Sequence, residues 1–515
     1  MAASFKPTDE SSDALLNDDD LDSIISDAKF TADTRIVFYD PCLTSRRNAL
    51  VGVACSTIFS CSCIIAGIVT LANHGVLGAT DMPAGNLFLQ VEILTLALNL
   101  IVTLCTESIG LVHGISLRSA LASESRFHFN TNLRLLTAAR GWYNPNGTLF
   151  NGISAVLLII SYSSASLVVC FDNNLTIAIA GMPLLILCVA LLLQVIIALS
   201  AIRAVKILTW SSSPFDLTAA LVHHTQLTHV TLRCMRRVSA LDADGGPAKP
   251  SKIQPSAWHA HPSIRKVIIS LWVIVAACAG WAALVTYISD RDSHFIPMTP
   301  YTWSILPNWR SSSIWYSVPG VNLELWILLF VNIAVVQGPL TLGLHCSELI
   351  ANVIRDETQW RCATGRKGLR MAMNPVKTTF THPICLVLFV AKPFLHWMFG
   401  LSFQIYKLVS DEKLGGSDVY MNTPQIWNLC ITLFIFAYFF TFVALRRPHG
   451  PQPAAYGHLQ TLANLVDEWY PVMWWRHKDD GIPYCHAGTS DHPLPHVKLH
   501  CVYAGSGVES LAPLS

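Results

Sequence analysis

Eight long apolar segments dominate this 515-residue chain and constrain its fold more than any other feature. A helix that crosses a bilayer needs about 20 mainly apolar residues. Only 13% of the residues are charged, against about 25% in typical soluble domains. The sequence therefore predicts an all-α fold, a polytopic transmembrane helical bundle of about eight spans that lies in the lipid bilayer. The predicted spans are 48–72, 87–114, 151–171, 177–202, 266–289, 324–346, 384–406 and 426–445.

The distribution of lysine and arginine predicts the direction of these spans, because cytosolic loops are enriched in both residues. Of the 34 lysines and arginines, 29 fall in the two tails and in alternate loops, four fall in the other loops, and Lys392 lies inside a span. Both termini are therefore expected in the cytosol, in either the plasma membrane or an endomembrane. The net charge of +1 gives no indication of a nucleic-acid partner.

Five regions follow from this pattern. Residues 1–47 are rich in Asp and Ser and predict a disordered acidic tail in the cytosol. Apolar positions and nearby arginines predict an amphipathic helix over 215–238, which would either lie on an anionic leaflet or pack beneath the bundle. The other regions are a first four-helix membrane repeat (48–202), a cytosolic amphipathic helix and linker (203–265), a second four-helix membrane repeat (266–445) and an ordered cytosolic tail (446–515).

The two groups of four spans resemble each other, which favours a 4+4 tandem duplication. The second and sixth spans end in the similar runs Gly110–His113 and Gly343–His345. The loops after them carry similar Arg…Asn-Pro patterns over 140–145 and 370–375. Four spans return the chain to the same side, so the repeat would be parallel, as in transporters whose sites lie between the repeats. A packing repeat without transport is the alternative.

Charged side chains inside the apolar spans are the first candidates for a functional site. Glu92 and Glu107 lie in the second span, and Lys392 and His396 lie in the seventh. A charge at the membrane centre costs about 2.5–3.5 kcal/mol on insertion scales, so such groups usually pair or line a water path. A carboxylate–lysine pair across these spans would gate a solute or proton path. A fixed structural pair is the alternative.

Short motifs in the carboxyl-terminal tail supply the second set of candidates. They are the GHLQTLANLVDEW helix (457–469), HAGTS (486–490), PLP (493–495) and YAG (503–505). Together with TWSSSPF at 209–215, these motifs resemble a family of uncharacterised fungal polytopic membrane proteins. The resemblance touches most of the chain and implies a many-span membrane protein, with no activity attached. Within HAGTS, His486, Gly488, Thr489 and Ser490 are the candidate residues, and a packing loop is favoured over nucleophilic chemistry.

Neither a metal site nor a cofactor is predicted. Cys485, His492, His496 and Cys501 are weak candidates for a tetrahedral zinc site, but prolines interrupt the histidine spacing and no CxxC or HExxH motif is present. The chain also lacks phosphate-binding and nucleophile-elbow motifs, which argues against an enzyme. The favoured function is a transporter or channel-like protein. The alternative is a non-catalytic membrane scaffold or sensor, whose tail binds a cytosolic protein or anionic lipid.

Overall fold

A computed structural model gives the fold, and it describes residues 43–76, 79–81, 87–131, 135–171, 177–240, 246–292, 294–307, 311–319, 323–371, 380–406 and 416–504. The predicted acidic tail, 1–47, lies outside the described residues up to position 42. Eight of the described helices are long and apolar enough to cross a membrane, judged by length and composition. The prediction of a multi-pass membrane bundle with eight candidate spans is therefore confirmed.

Twelve described helices are numbered here in chain order. They are α1 (Leu43–His74), α2 (Leu87–Ser123), α3 (Thr148–Val168), α4 (Gly181–Arg203), α5 (Pro214–His223), α6 (Ala257–Ala260), α7 (Pro262–Arg291), α8 (Leu323–Cys346), α9 (Glu348–Arg361), α10 (Pro383–Ser402), α11 (Thr423–Leu445) and α12 (Leu459–Leu465). The candidate spans are α1 to α4, α7, α8, α10 and α11, and α9 extends the sixth span beyond a break at Ser347. Large aliphatic side chains such as Val273 and Ile435 are exposed on their outer faces, as expected of helices that contact lipid.

Two short 3-10 helices (Val238–Ala240 and Cys362–Thr364) and nine strands complete the described secondary structure, so the described part of the chain is mostly helical rather than all-α. The strands are β1 (Ala79–Asp81), β2 (Val169–Phe171), β3 (Ile177–Ala180), β4 (Ser313–Pro319), β5 (Leu369–Arg370), β6 (Phe403–Tyr406), β7 (Gly416–Asn422), β8 (Val472–Asp479) and β9 (His486–Ser490).

Six of these strands form one sheet, in the order β1-β3-β2-β6-β7-β4, at the end of the bundle named here the sheet end. Strands β2 and β6 continue directly from α3 and α10, and they pair in parallel through Phe171 and Tyr406. The prediction of helix is wrong for the last residues of spans 151–171 and 384–406, and for residues 177–180 at the start of span 177–202, which form β3. They are apolar, β-branched or aromatic in part, and fit a strand as well as a spanning helix.

The eight long helices pack as two groups of four. Helix α4 packs against α1, α2 and α3, while α11 packs against α7 and α10. The two groups meet where α3 contacts α8 and α10, and where α2 contacts α10. Buried side chains such as Ile109 and Leu187 fill the first group, and Leu395 and Phe440 fill the second. The helices at the junction of the groups are therefore α2, α3, α8 and α10.

The opposite end of the bundle, named here the tail end, carries a folded layer built around the carboxyl-terminal tail. Strand β5, which follows α9, pairs with β8 of the tail, and β8 pairs with β9. Phe215 of α5, Trp360 of α9 and Trp475 of β8 are fully buried in one apolar cluster. This layer joins the segments after α4, after α8 and after α11 into one unit.

Two helices in the tail-end layer are shorter than the sequence predicts. The amphipathic helix over 215–238 ends at His223, and positive φ angles at Thr225 (55°) and Leu232 (66°) carry the chain out of the helix. All residues of α5 up to Leu221 are buried, so this helix packs beneath the bundle. The tail helix covers only Leu459–Leu465, because the chain beyond it turns to meet the HAGTS strand.

Candidate functional site

The charged residues of the second and seventh spans meet where four helices converge. Lys392 lies midway along α10, and only 1% of its side chain is exposed. Its ammonium donates hydrogen bonds to Oε1 of Glu107 on α2 and to Oε1 of Glu348 at the start of α9. His345, near the end of α8, has Nδ1 3.1 Å from Glu348 Oε1 and 3.5 Å from Lys392 Nζ. These four residues are named here the central cluster.

The central cluster holds more negative than positive charge. Two carboxylates face one ammonium, so a single negative charge is in excess while His345 is neutral. The side chains of Glu107 and Glu348 are 33% and 27% exposed, so solvent screens part of this excess charge, and a proton or another cation can offset the rest. Ligand atoms of Glu107, His345 and Glu348 lie within 4.8 Å of one another, a spacing that suits a metal ion. The ammonium of Lys392 already lies among them and acts as their cation.

A stacked pair of rings closes the central cluster towards the sheet end. Tyr162 of α3 stacks on His396 of α10 with ring centroids 3.7 Å apart and an interplanar angle of 13°. The Tyr162 hydroxyl lies 3.1 Å from Thr103 Oγ1, and Gln337 Nε2 lies 3.3 Å from His396 Nδ1. His396 is fully buried, and its Nε2 has no hydrogen-bond partner among the described residues. The two rings and their polar neighbours, Thr103 and Gln337, therefore lie between the central cluster and the sheet end.

A cavity of about 360 Å³ reaches the central cluster from the tail end. Glu107 and Glu348 line one part of it, and Arg118 and Arg355 line another. Leucines and phenylalanines form the apolar part of the remaining wall, and hydroxyl, amide and glycine residues form the rest; the apolar residues are Leu104, Leu111, Leu135, Leu158, Phe380 and Phe389. We refer to this space as the inner cavity.

The two arginines of the inner cavity share one buried carboxylate. Arg355 donates to Asp356 Oδ1 at 2.8 Å. Asn130 connects the pair, because its amide donates to Asp356 Oδ2 at 2.9 Å and its oxygen accepts from Arg118 at 3.0 Å. Two guanidinium groups against one carboxylate leave a positive charge in excess. The inner cavity is therefore dipolar, negative at the central cluster and positive at the arginines.

Glu92, the other predicted intramembrane carboxylate, does not join the central cluster. It lies about four helical turns from Glu107 along α2. Its Oε2 accepts a hydrogen bond from Trp397 Nε1 at 3.2 Å, and the residue is buried. Of the four predicted residues in the membrane, the structure thus brings together Glu107, Lys392 and His396, and leaves Glu92 in a separate contact.

The HAGTS residues form a clasp around Asp467 of the tail. His486 Nε2 lies 2.9 Å from Asp467 Oδ2, and the Thr489 backbone amide donates to Oδ1 at 2.6 Å. A side chain at Gly488 would collide with the same carboxylate, so only glycine permits this approach. Burial acts to raise the pKa of Asp467, but hydrogen bonds from His486, Thr489 and Lys478 hold that pKa well below its usual range.

The clasp contains no nucleophile held against His486. Ser490 Oγ donates to the backbone oxygen of His492 at 2.5 Å, and His486 Nδ1 has no hydrogen-bond partner among the described residues. The arrangement is suited to packing the tail rather than to covalent catalysis.

The weak zinc candidates separate into two groups in the structure. His492 is exposed beside Asp491, and His496 lies 3.5 Å from an Arg476 nitrogen; among the described residues, neither histidine belongs to a group of three potential metal ligands. Cys485 and Cys501 do lie side by side.

Sequence reasoning missed half of the central cluster and all of the arginine end of the cavity. Glu348 falls just beyond the apolar segment that ends at 346, so the sequence predicts a loop at this position. The available signal was the pair His345 and Glu348, three residues apart at the end of a span, where both side chains share one face. Arg118 and Arg355 were counted only as basic loop residues.

Taken together, eight long apolar helices around buried ion pairs define a multi-pass membrane protein associated with the lipid bilayer. Comparison of the chain with family models, with curated proteins and with solved structures finds no match in any of the three. They therefore identify no family for the chain, and the resemblance to fungal membrane proteins stays a prediction from its motifs.

Proposed function

We propose that this protein is a membrane transporter for a small zwitterionic solute, such as an amino acid or a short peptide. The observation that carries the proposal is Lys392, a buried ammonium that bridges two carboxylates at the end of a cavity between two helix groups. A tethered ammonium in this position competes with the ammonium of a solute or with a proton. Entry of either would release Lys392 and change the balance of charge between the two groups.

The polarity and size of the inner cavity support a zwitterionic solute. Glu107 and Glu348 would bind the ammonium of the solute, while Arg118 and Arg355 would bind its carboxylate. The cavity volume of about 360 Å³ lies at the lower end of the range of about 300–1,000 Å³ seen for small-molecule sites. Apolar walls between the charged ends leave room for a side chain.

The arrangement of the strands and helices supports the 4+4 tandem repeat. In the sheet order β1-β3-β2-β6-β7-β4, the first three strands come from the first four-helix group and the last three from the second, in mirrored order. The central strands β2 and β6 run parallel, as an axis along the membrane normal requires. In the two repeats, α2 corresponds to α8 and α3 corresponds to α10. The contacts between the groups have the same symmetry, because α3 contacts α8 and α10 contacts α2. The central cluster lies at this junction, where repeat-built transporters hold their sites.

The proposed organisation has the five predicted regions. It also places both termini in the cytosol. The tail-end layer, with its basic loops, would then face the cytosol, and the inner cavity would open to it. Residues 48–202 and 266–445 would be the two membrane repeats. The sheet end would face the opposite compartment.

Uptake into liposomes tests the proposal. The purified protein, reconstituted into proteoliposomes, is given radiolabelled amino acids and dipeptides, with N-acetylated and amidated analogues as controls. Uptake of at least one zwitterion but not of its blocked analogues is expected. Glu348→Gln and Arg355→Gln should each reduce it by about tenfold or more, because a hydrogen bond to a charged group is worth about 1.5–3 kcal/mol.

Matched controls separate the site from general charge effects. Glu324→Gln removes an exposed carboxylate at the start of α8, and Arg366→Gln removes an exposed arginine at the tail end. Both should keep wild-type uptake. Absence of uptake of every zwitterion by folded wild-type protein would contradict the proposal.

A scaffold or sensor role is the second candidate function, and the folded tail-end layer favours it. The clasp at Asp467 and the burial of Trp475 and Tyr503 support an ordered tail. Such a surface could hold a cytosolic protein or anionic lipid. Loss of a copurifying protein or of vesicle binding on deletion of 446–515, with no solute uptake by the intact chain, would favour this role.

A further inference from the structure

Three potential metal ligands, His477, Asp480 and Cys485, converge at the edge of the tail-end layer, and the thiol of Cys501 lies next to this group. His477 Nε2 lies 3.1 Å from Asp480 Oδ1, and Cys485 Sγ lies 3.6 Å from the same oxygen. The ligand atoms of these three residues all lie within 4.8 Å of one another. The thiol of Cys501 lies beside that of Cys485 but outside this group of three, so it would have to turn towards His477 and Asp480 to complete a tetrahedral site; both cysteines are free.

We propose that His477, Asp480, Cys485 and Cys501 form a structural zinc site. Around a tetrahedral zinc ion, bond lengths of about 2.0–2.2 Å to nitrogen and oxygen and about 2.3 Å to sulfur place nitrogen and oxygen ligands about 3.3 Å apart. The same geometry separates sulfur and oxygen ligands by about 3.6 Å. The observed separations of 3.1 Å and 3.6 Å match these values.

The backbone holds the two cysteine segments together independently of any metal. The amide of Cys485 donates to the Val502 oxygen at 2.9 Å, and the amide of Ala504 donates to the Cys485 oxygen at 3.1 Å. Cys501 precedes this pairing directly, so its thiol is brought to Cys485 by main-chain geometry. The site is therefore preorganised by two adjacent segments.

The outer contacts of the cluster also suit a zinc site. His477 Nδ1 lies 3.0 Å from the buried hydroxyl of Tyr503, which can accept a hydrogen bond from a protonated Nδ1 and so leave the Nε2 lone pair free to bind zinc. Lys498 Nζ lies 2.6 Å from Asp480 Oδ1 and 2.5 Å from Oδ2. With one carboxylate oxygen on the metal, the other can keep Lys498. Two thiolates and a carboxylate then balance Zn²⁺ and this ammonium.

The proposed ion would fasten the last described segment of the tail. Tyr503 exchanges two backbone hydrogen bonds with Ala248, at 2.9 Å and 3.0 Å, in the segment between α5 and α6. Binding zinc next to Tyr503 would therefore link strand β8, the loop before β9 and this distant segment. Each bound thiol would release its proton on binding.

Metal content of the full-length protein, purified without chelators, tests the proposal. Elemental analysis should find one zinc per chain in the wild type and in Cys362→Ser, which changes an exposed cysteine elsewhere in the tail-end layer. Cys485→Ser and Cys501→Ser should each lose most of it. Co²⁺ exchanged into the intact wild type should give the visible absorption of a tetrahedral thiolate complex, a readout that needs no variant to fold.

Several results would overturn the assignment. One is wild-type protein that contains no zinc and also fails to give the cobalt spectrum. Another is a disulfide between Cys485 and Cys501, detected by mass spectrometry in freshly purified protein. Zinc that persists in the Cys485→Ser/His477→Gln double variant would also place the ion elsewhere.

Discussion

Replacing Lys392 by methionine tests the central cluster most sharply, because methionine keeps much of the side-chain length and removes the ammonium. Lys392 is 1% exposed and faces the carboxylates of Glu107 and Glu348. Two unit charges about 4 Å apart interact by about 4 kcal/mol at an effective dielectric constant of about 20. Desolvation of the ammonium offsets part of this attraction, and removing one partner of a buried pair costs about 3–5 kcal/mol. Because Glu107 and Glu348 are 33% and 27% exposed, solvent screens the carboxylates left behind, and Lys392→Met should lower the free energy of unfolding by less than this, by about 1–3 kcal/mol.

Unfolding in detergent micelles, followed by tryptophan fluorescence, measures this loss. The triple variant Lys392→Met/Glu107→Gln/Glu348→Gln removes all three charges and should recover most of the stability, because no unpaired charge stays buried. Lys367→Met, at an exposed position, serves as the control and should match the wild type. The reasoning is refuted if Lys392→Met is as stable as the wild type, or if the triple variant is no more stable than the single one.

Three further predictions concern the cavity and the tail-end layer. An added Cβ at Gly114 meets open space in the inner cavity, so in a cysteine-free background Gly114→Cys should react with a membrane-impermeant maleimide added from the tail end. Gly280→Cys, on the exposed face of α7, should not react. Equal reactivity of the two variants would argue against a hydrated cavity. Gly488→Ala should destabilise the tail, seen as faster limited proteolysis, while Gly246→Ala should not; unchanged proteolysis would mean that the clasp is not needed. Burial and two neighbouring histidines lower the pKa of His458 to about 4, below about 6.5 in the unfolded chain, so this group's contribution to stability should fall as the pH drops from about 6.5 to 4. His458→Asn keeps a helix-capping acceptor and should flatten this part of the stability profile.

The membrane bundle was predictable because apolar length is a local property of the sequence. Each of the eight segments is long enough to be recognised by itself, and the structure has a helix at each one. The strands were not predictable in the same way. Val169 and Phe403 extend apolar runs without interruption, and only their pairing across the sheet end identifies them as strands.

The residues of the candidate site also differ in whether the sequence alone can identify them. Lys392 and Glu107 stand out because charge is rare within apolar segments. Glu348 lies just outside such a segment, and its role depends on how α9 continues α8 in space. Recognition of the proposed zinc site depends still more on tertiary structure. His477 and Asp480 carry no recognisable metal spacing with Cys485 and Cys501, and the backbone pairing of Cys485 with Tyr503 brings the two cysteines together.

The proposed transport requires that the central cluster be reached from each end of the bundle in turn. A cysteine at Thr103 tests this requirement most directly. Thr103 is fully buried one turn from Glu107 towards the sheet end, beside the Tyr162 hydroxyl. In a cysteine-free background, Thr103→Cys should be labelled by an impermeant reagent from the sheet-end side if the protein opens there as proposed, and a zwitterion that it transports should change the labelling rate. A Thr103→Cys variant that stays unreactive from both sides, while Gly114→Cys reacts from the tail end, would make the inner cavity a closed vestibule and contradict transport.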